Sequence, residues 1–184
     1  MDDHVHDAVV LLDADGTVVG SMDKLAAHQR SRRHLAFSVM LYDADGLVVL
    51  QRRADVKHHF AGRWSNACCS HPRPGEPVVS AGQRRVREEL GVDCGALSVQ
   101  GAFWYEARDP VSGLVEHEYD VVLVGRVDAP LDPDPAEVAA VERMPPGALR
   151  AALAADPQHF TPWLPQVLDL AQAPPTPVPS TILG

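Results

Sequence analysis

The chain has 184 residues, enough for one domain with a sizeable core and too few to expect two. Its formal net charge of -9 argues against nucleic-acid binding, because affinity for a phosphate backbone requires a broad basic surface. No segment approaches the roughly twenty apolar residues of a membrane span, and the acidic N-terminus lacks the pattern of a secretory signal. The three cysteines form no CxxC pair or even-numbered disulfide set, so we expect a cytoplasmic protein.

Two similar segments near the start of the chain predict β-hairpins. Residues 9–20 and 39–50 each consist of two apolar runs joined by Asp-Ala-Asp-Gly. The Asp-Gly pair supplies the positive φ that a tight hairpin requires. The same four residues also resemble a calcium loop, but the position that needs glutamate holds Lys24 in one segment and Ala54 in the other. The turn is therefore the better interpretation.

The central part of the chain predicts a helix after a loop. Residues 68–77 contain three prolines and a glycine, which are typical of a loop. An apolar or small residue then recurs every four positions, which favours a helix with one buried face, and a glycine is well placed to end it. The repeating positions are Val78, Gly82, Val86 and Leu90, and the terminating residue is Gly91.

The C-terminal half predicts three more strands and two helices. The strands are expected near 99–107, 115–125 and 137–143, and the helices at 146–155 and 161–171. This mixture predicts an α/β (α+β) fold, a mixed sheet between helices with an N-terminal hairpin. We expect one domain over residues 1–172. The last twelve residues, 173–184, contain four prolines and are predicted to be disordered.

The predicted helix carries the strongest functional motif. Seven residues fall at the spacings of the Nudix box, in which a loop leads into a helix whose carboxylates hold a divalent cation for a diphosphate. Those residues are Glu76, Arg84, Val86, Glu88, Glu89, Gly91 and Val92. Two positions differ from the box: Ser70 replaces its first glycine, and Arg85 replaces the first glutamate of its acidic core. A simpler interpretation is a surface helix with an Arg85–Glu89 ion pair.

The change at Arg85 favours a particular class of reaction. Nudix hydrolases generally use several acidic residues in that core to bind metal and activate water. A cation there suits holding a diphosphate rather than cleaving it.

The rest of the chain resembles type I isopentenyl-diphosphate isomerases, in order from about residue 7 to about residue 172. The similar segments include KLAAHQRSRRHLAFS, QRRADVKHHFAGRWSNACCSHPRPGE, FWYEARDP, SGLVEHEYDV and HFTPW. The most specific elements are Cys-x-His-Pro, formed by Cys69, His71 and Pro72, and Glu-x-Glu, formed by Glu116 and Glu118. The resemblance implies a Nudix-like fold and interconversion of isopentenyl and dimethylallyl diphosphate through a tertiary carbocation, in isoprenoid biosynthesis.

The resemblance also implies a divalent metal held by three histidines and two glutamates. The matching residues are His28, His34, His71, Glu116 and Glu118. On an extended strand Glu116 and Glu118 point the same way, and a mixed imidazole and carboxylate set suits Zn²⁺ or Mn²⁺ better than Mg²⁺ alone. The spacing from His28 to His34 is one residue shorter than expected of the family, so a shorter loop has to bring His28 to the site. The other histidines are predicted to be surface residues: His4, His6, His58, His59, His117 and His159.

By the same resemblance, a second ion, Mg²⁺, lies on the substrate diphosphate with Glu89 as its ligand. Cations that match the family's diphosphate contacts are Lys24, Arg53, Lys57 and Arg85. Local cations explain how a protein of net charge -9 binds an anion.

The family's proton-transferring pair corresponds to Cys69 and Glu118, assisted by Tyr105. Cys68 is expected to be a buried core residue. Aromatic candidates for lining the pocket, where they would stabilise a carbocation, are Trp64, Phe37, Tyr105 and Trp163. Core packing is an equally good interpretation of Phe37.

Two other functions remain open on the sequence alone. One is a Nudix hydrolase of a nucleoside diphosphate derivative, against which Arg85 and the Cys-x-His-Pro element argue. The other is a non-catalytic Nudix-like binding module, which missing metal ligands would favour. As partners we expect a small allylic or homoallylic diphosphate, no nucleic acid and no membrane, with the protein a monomer or weak dimer.

Overall fold

A computed structural model describes residues 8–184, so His4 and His6 lie outside the described residues. The strands within this range are β1 Ala8–Leu12, β2 Val18–Asp23, β3 His34–Tyr42, β4 Val48–Arg53, β5 Trp64–Asn66, β6 Cys68–Ser70, β7 Ser98–Arg108, β8 Val115–Arg126 and β9 Val138–Met144. The α-helices are α1 Lys24–Gln29, α2 Val78–Leu90, α3 Pro146–Ala155, α4 Leu164–Gln172 and α5 Ser180–Leu183, and a 3₁₀ turn spans Pro157–His159. No helix in this part of the chain has the length and apolar character that crossing a bilayer requires.

Both predicted hairpins form, and their Asp-Ala-Asp-Gly segments are turns. In the first, one Asp13 carboxylate oxygen accepts the backbone N–H groups of Asp15 and Thr17 at 3.0 and 2.8 Å. Gly16 has a φ of 81°, which a glycine adopts without steric cost. Asp43 plays the same part in the second hairpin.

Strand β3 organises the mixed sheet. It pairs antiparallel with β1, β4 and β6 and parallel with β8. Because side chains alternate along a strand, its two faces enter two cores. Phe37 and Val39 pack in the core shared with α2, whereas Met40 packs in the core shared with α3 and α4. Helices therefore cover both faces of the sheet, which confirms the predicted fold class.

Helix α2 lies close against the sheet on its predicted apolar face. Val78, Val86 and Leu90 are fully buried, and Gly82 allows the close approach. A Cβ atom at position 82 would lie 2.6 Å from the Cδ1 atom of Leu123 on β8. The helix ends at Gly91, whose φ of 64° is the left-handed conformation typical of a helix C-cap.

The C-terminal tail differs from the prediction of disorder. The Thr176 N–H donates to the Gln100 carbonyl at 2.9 Å, and α5 follows it. Ile182 is 4 % exposed and packs in the core that contains Val78, with Val178 beside it. The prolines favour disorder, but burial of these apolar side chains holds the segment on α2.

Candidate active site

Five predicted metal ligands converge on one buried cluster. One potential ligand atom from each residue lies within 4.8 Å of all the others. The residues come from α1, the start of β3, the segment after β6, and β8: His28, His34, His71, Glu116 and Glu118. The structure thus brings together the whole set that the sequence suggested.

A helix cap brings His28 into the cluster despite the short spacing. Ser31 has a φ of 48°, and the Arg32 N–H donates to the Ala27 carbonyl at 2.9 Å. The Ser31 N–H donates to the His28 carbonyl at 3.4 Å, which completes a Schellman motif at the end of α1. This turn reverses the chain within three residues, so the shorter loop still reaches β3.

Strand pairing places the other ligands. In the parallel register of β3 and β8, His34 lies opposite Glu118. Glu116 and Glu118 are two positions apart on β8 and project to the same face. The His34 Nε2 atom lies 3.2 Å from both the Glu118 Oε1 atom and the His71 Nε2 atom.

The hydrogen bonds of these histidines fit a cation at the cluster. His28 donates its Nδ1–H to the Lys24 carbonyl at 2.6 Å, and His34 donates its Nδ1–H to the Arg32 carbonyl at 2.7 Å. The Nε2 atom of each ring lies at hydrogen-bond distance from a carboxylate, 2.9 Å for His28 and 3.2 Å for His34. In a neutral ring with its hydrogen on Nδ1, that Nε2 atom would offer its lone pair to a cation. This pattern of an outer N–H held by a carbonyl is typical of metal-bound histidine. The donor set therefore suits a divalent ion such as Zn²⁺ or Mn²⁺.

The two glutamates have opposite electrostatic surroundings. Burial opposes ionisation of Glu116, but hydrogen bonds from His28 and His59 outweigh it and hold the pKa of Glu116 well below its usual range. Burial and the neighbouring Glu116 charge raise the pKa of Glu118. The Tyr105 hydroxyl donates to Glu118, and burial raises the pKa of Tyr105 as well. Glu118 therefore ionises less readily than Glu116, and the Tyr105 hydroxyl lies beside it with its own proton.

The Cys69 thiol has a fixed donor and a fixed acceptor. The Trp163 Nε1–H donates to its sulfur at 3.1 Å, and the thiol donates to the Asn66 Oδ1 atom at 3.0 Å. The Asn66 amide is itself oriented, because its Nδ2–H₂ group donates to the carbonyls of Val39 and Cys68. Burial raises the pKa of the Cys69 thiol to about 11, so the group keeps its proton at neutral pH.

The neighbouring thiol of Cys68 points the other way. Cys68 is fully buried in the core between the sheet and α2, as the alternation along β6 requires. The predicted division between a thiol in the cavity wall and a thiol in the core is therefore the observed geometry.

Both the thiol and the cluster open into one cavity of about 480 Å³. That volume suits a small-molecule ligand. The four predicted diphosphate-contacting cations all line it: Lys24, Arg53, Lys57 and Arg85. Phe37, Tyr105 and Trp163 supply aromatic wall, and the rings of Tyr105 and Trp163 lie 5.8 Å apart.

Comparison with known proteins identifies the family. The NUDIX domain model matches residues 32–164. An isopentenyl-diphosphate Delta-isomerase of Nocardia farcinica is 48 % identical over 166 residues, which cover 90 % of this chain and 94 % of the relative. One of Streptomyces coelicolor is 46 % identical over 163 residues, covering 88 % and 82 %. The chain belongs to the isopentenyl-diphosphate Delta-isomerase family.

Solved structures agree on the fold of this isomerase. DR0079 from Deinococcus radiodurans superposes with a TM-score of 0.74 at 21 % identity, covering 90 % of this chain and 99 % of that protein. A MutT protein from Methanosarcina mazei gives a TM-score of 0.61 at 16 % identity, covering 74 % and 91 %. At such low identity these similarities support the Nudix fold alone.

The acidic core of the isomerase's Nudix helix is neutralised. Arg85 donates to one Glu89 oxygen at 2.6 Å, and Gln51 donates to the other at 2.9 Å. Glu89 is 1 % exposed and is not among the residues that line the cavity. Glu137, which sequence reasoning missed, contacts both Arg85 and Lys57.

Two sequence predictions about this site are wrong. Trp64 does not line the cavity; it packs against the core beneath α4, since its neighbour Ser65 on β5 is the residue that approaches Cys69. His59 is not a surface residue, because its Nε2 atom lies 2.6 Å from the Glu116 Oε1 atom. His59 lies in a run of basic residues, which is typical of an exposed segment. The one feature of the sequence that links it to the cavity is its position two residues after Lys57.

Proposed function

We propose that the chain interconverts isopentenyl diphosphate and dimethylallyl diphosphate, the activity that its relatives' name describes. One observation carries the proposal: a buried thiol and a histidine–glutamate cluster open into the same cavity, which is lined by cations and aromatic rings. A diphosphate ester of a short branched alkene has matching parts, an anionic end and an apolar end.

The cations bind the diphosphate. All four cations line the cavity: Lys24, Arg53, Lys57 and Arg85. Burial, together with the nearby charges of Arg53 and Arg85, lowers the pKa of Lys57 to about 8, so a bound anion would favour the charged form of Lys57. Their convergence gives a strong local attraction for a diphosphate in a protein that is acidic overall.

Cys69 and Glu118 carry the proton transfers. One group delivers a proton to the terminal alkene carbon, and the other removes a proton from the carbon on the far side of the resulting tertiary cation. Reversing the reaction exchanges their roles. The Trp163 N–H holds the sulfur and the Tyr105 O–H holds the carboxyl group, so each acid/base group has a donor that stabilises its deprotonated form.

Aromatic rings on the cavity wall would shield the carbocation from water. Trp163 is 2 % exposed, and the Arg53 guanidinium lies 5.8 Å from its ring centroid, a cation–π contact that supports a role for this ring beside a positive charge. Excluding water matters because water would capture the carbocation as an alcohol.

We propose that a divalent ion, Mn²⁺, Zn²⁺ or Mg²⁺, binds the five-residue cluster. Such an ion supplies Lewis acidity and fixes the carboxylates in place. By family resemblance Glu89 is the protein ligand for a separate Mg²⁺ on the diphosphate. Because Arg85 and Gln51 donate to the two Glu89 oxygens, that role would require one of these donors to leave the carboxylate.

The activity is tested by incubating the protein with isopentenyl diphosphate and Mg²⁺ and following products. Dimethylallyl diphosphate is the expected product. Release of inorganic phosphate would instead indicate a hydrolase, and absence of both would indicate a binding module.

The metal site is tested by elemental analysis of the purified protein and two histidine variants. His71→Ala is expected to lose most of the bound transition metal, because His71 lies among the cluster ligands. His159→Ala is the control, since His159 is exposed and outside the cluster. Equal metal content in both variants would remove His71 from the site.

A further inference from the structure

His59 lies against the metal cluster without belonging to it. Its Nε2 atom is 2.6 Å from Glu116 Oε1, whereas the other oxygen of the same carboxylate, Oε2, is 2.9 Å from His28 Nε2. The rings of His59 and His28 stack with centroids 5.0 Å apart and an interplanar angle of 21°. The two oxygens of Glu116 therefore have different partners.

In the contact between His59 Nε2 and Glu116 Oε1, His59 is the donor. A carboxylate only accepts, so His59 Nε2 must carry the hydrogen. That is true of the neutral ring and of the imidazolium alike, so the contact does not depend on the protonation of His59. His28 differs, because its Nδ1–H is committed to the Lys24 carbonyl.

The backbone around His59 is strained in a way that holds the ring in place. The next residue, Phe60, has a φ of 49°, an uncommon conformation for a bulky side chain that costs on the order of 1–3 kcal/mol. Phe60 is buried and packs edge-on against Trp163. Arg53 donates to the His59 carbonyl at 3.1 Å. A turn secured on both sides thus directs His59 at Glu116.

We infer that His59 is a positioning residue for Glu116. It holds Oε1 and so keeps Oε2 turned toward the histidines of the cluster. The inference rests on the proposed metal site, and it adds a residue that sets how tightly that site binds its ion. Outer hydrogen bonds to metal ligands typically change metal affinity by 10–100-fold.

A passive surface contact does not account for the geometry. The side chains of His59 and Glu116 are 12 % and 4 % exposed, so little water is available to replace the donor if it is removed. A buried carboxylate oxygen that loses its partner is costly, and the carboxylate would then rotate to find another.

The experiment compares two variants of similar volume in the full-length protein. Both His59→Leu and His59→Gln fill the space beside Phe60, but only glutamine offers an N–H near the position of Nε2. Mn²⁺ is titrated into chelator-treated wild type, both variants and the exposed control His159→Ala. Thermal unfolding without metal confirms that each variant is folded.

The expected result is a Mn²⁺ dissociation constant raised about 10–100-fold in His59→Leu, largely recovered in His59→Gln and unchanged in His159→Ala. Excess Mn²⁺ should restore the turnover of His59→Leu. A dissociation constant equal to wild type in His59→Leu, or a raised KM that excess metal leaves unchanged, would overturn the inference. If wild type itself fails to bind Mn²⁺, the proposed metal site fails, and this inference with it.

Discussion

Replacing Cys69 by alanine removes one sulfur atom from the cavity wall and very little volume. That atom accepts the Trp163 N–H and donates to Asn66, and we propose that it transfers the proton on its side of the cavity. We expect turnover to fall by about 10²–10⁴-fold, the usual contribution of a general acid or base. Diphosphate binding should persist, because the hydrogen bonds of the thiol involve none of the cations.

The adjacent cysteine is a matched control. Cys68→Ala removes the same atom one position away, but from a fully buried site in the core against α2. We expect a loss of stability on the order of 1 kcal/mol and turnover within about tenfold of wild type. Because both substitutions remove one cysteine sulfur atom, comparing them separates the loss of proton transfer from the loss of core packing.

The assay measures turnover with isopentenyl diphosphate, binding of an unreactive diphosphate analogue, and the midpoint of denaturant unfolding for each variant. Near-normal turnover in Cys69→Ala would refute the proposed role of its thiol. Loss of turnover in a folded Cys68→Ala variant would show that the motif is misassigned by one residue.

Three further predictions follow from the electrostatics, the α1 cap and the tail. The pKa of Lys57 is about 8, and a bound diphosphate favours its charged form, so KM should rise as the pH increases above 8, by up to about tenfold per pH unit. In Lys57→Arg, whose side chain stays charged, KM should not change over this pH range. Ser31→Val should lower the free energy of unfolding by about 1–2 kcal/mol and weaken Mn²⁺ binding, because a branched side chain disfavours the φ of 48°. Ser31→Gly should be tolerated, since glycine adopts this φ readily. If the two variants gave the same unfolding and Mn²⁺ titration curves, the prediction would be contradicted. Deleting residues 174–184 should lower the melting temperature because it exposes the pocket of Ile182, and an unchanged melting curve would show that the tail is not packed.

Much of the fold could be predicted from local patterns in the sequence. The Asp-Gly turns, the four-residue apolar repeat of α2 and its terminal Gly91 each have a local physical cause, and all three are observed. Strands β5 and β6 were missed because each has three residues, too few to show a period. The tail was misjudged because its prolines stood out more than Ile182.

The site residues that belong to a sequence motif could be predicted, whereas those that only tertiary contacts bring to the site could not. The cluster and the cavity cations came from ordered resemblance across the chain, whereas their catalytic roles stay predictions. Asn66, Glu137 and His59 contact the site through turns and strand ends that no periodicity reveals. Trp64 was placed wrongly because the face of a three-residue strand cannot be read from its composition.

The parallel pairing of β3 with β8 has a consequence for how this protein folds. His34 and Glu118, which meet across that pair, are 84 residues apart in sequence, and the thiol of Cys69 meets Trp163 across 94. Contacts of such long range form slowly, because the chain loses conformational entropy in closing the long loop before the contact stabilises it. A growing chain that has completed β3 therefore holds His28 and His34 without their carboxylates, so the proposed metal site is not yet formed. The fraction of purified protein that carries metal should consequently report the fraction that has reached its native topology.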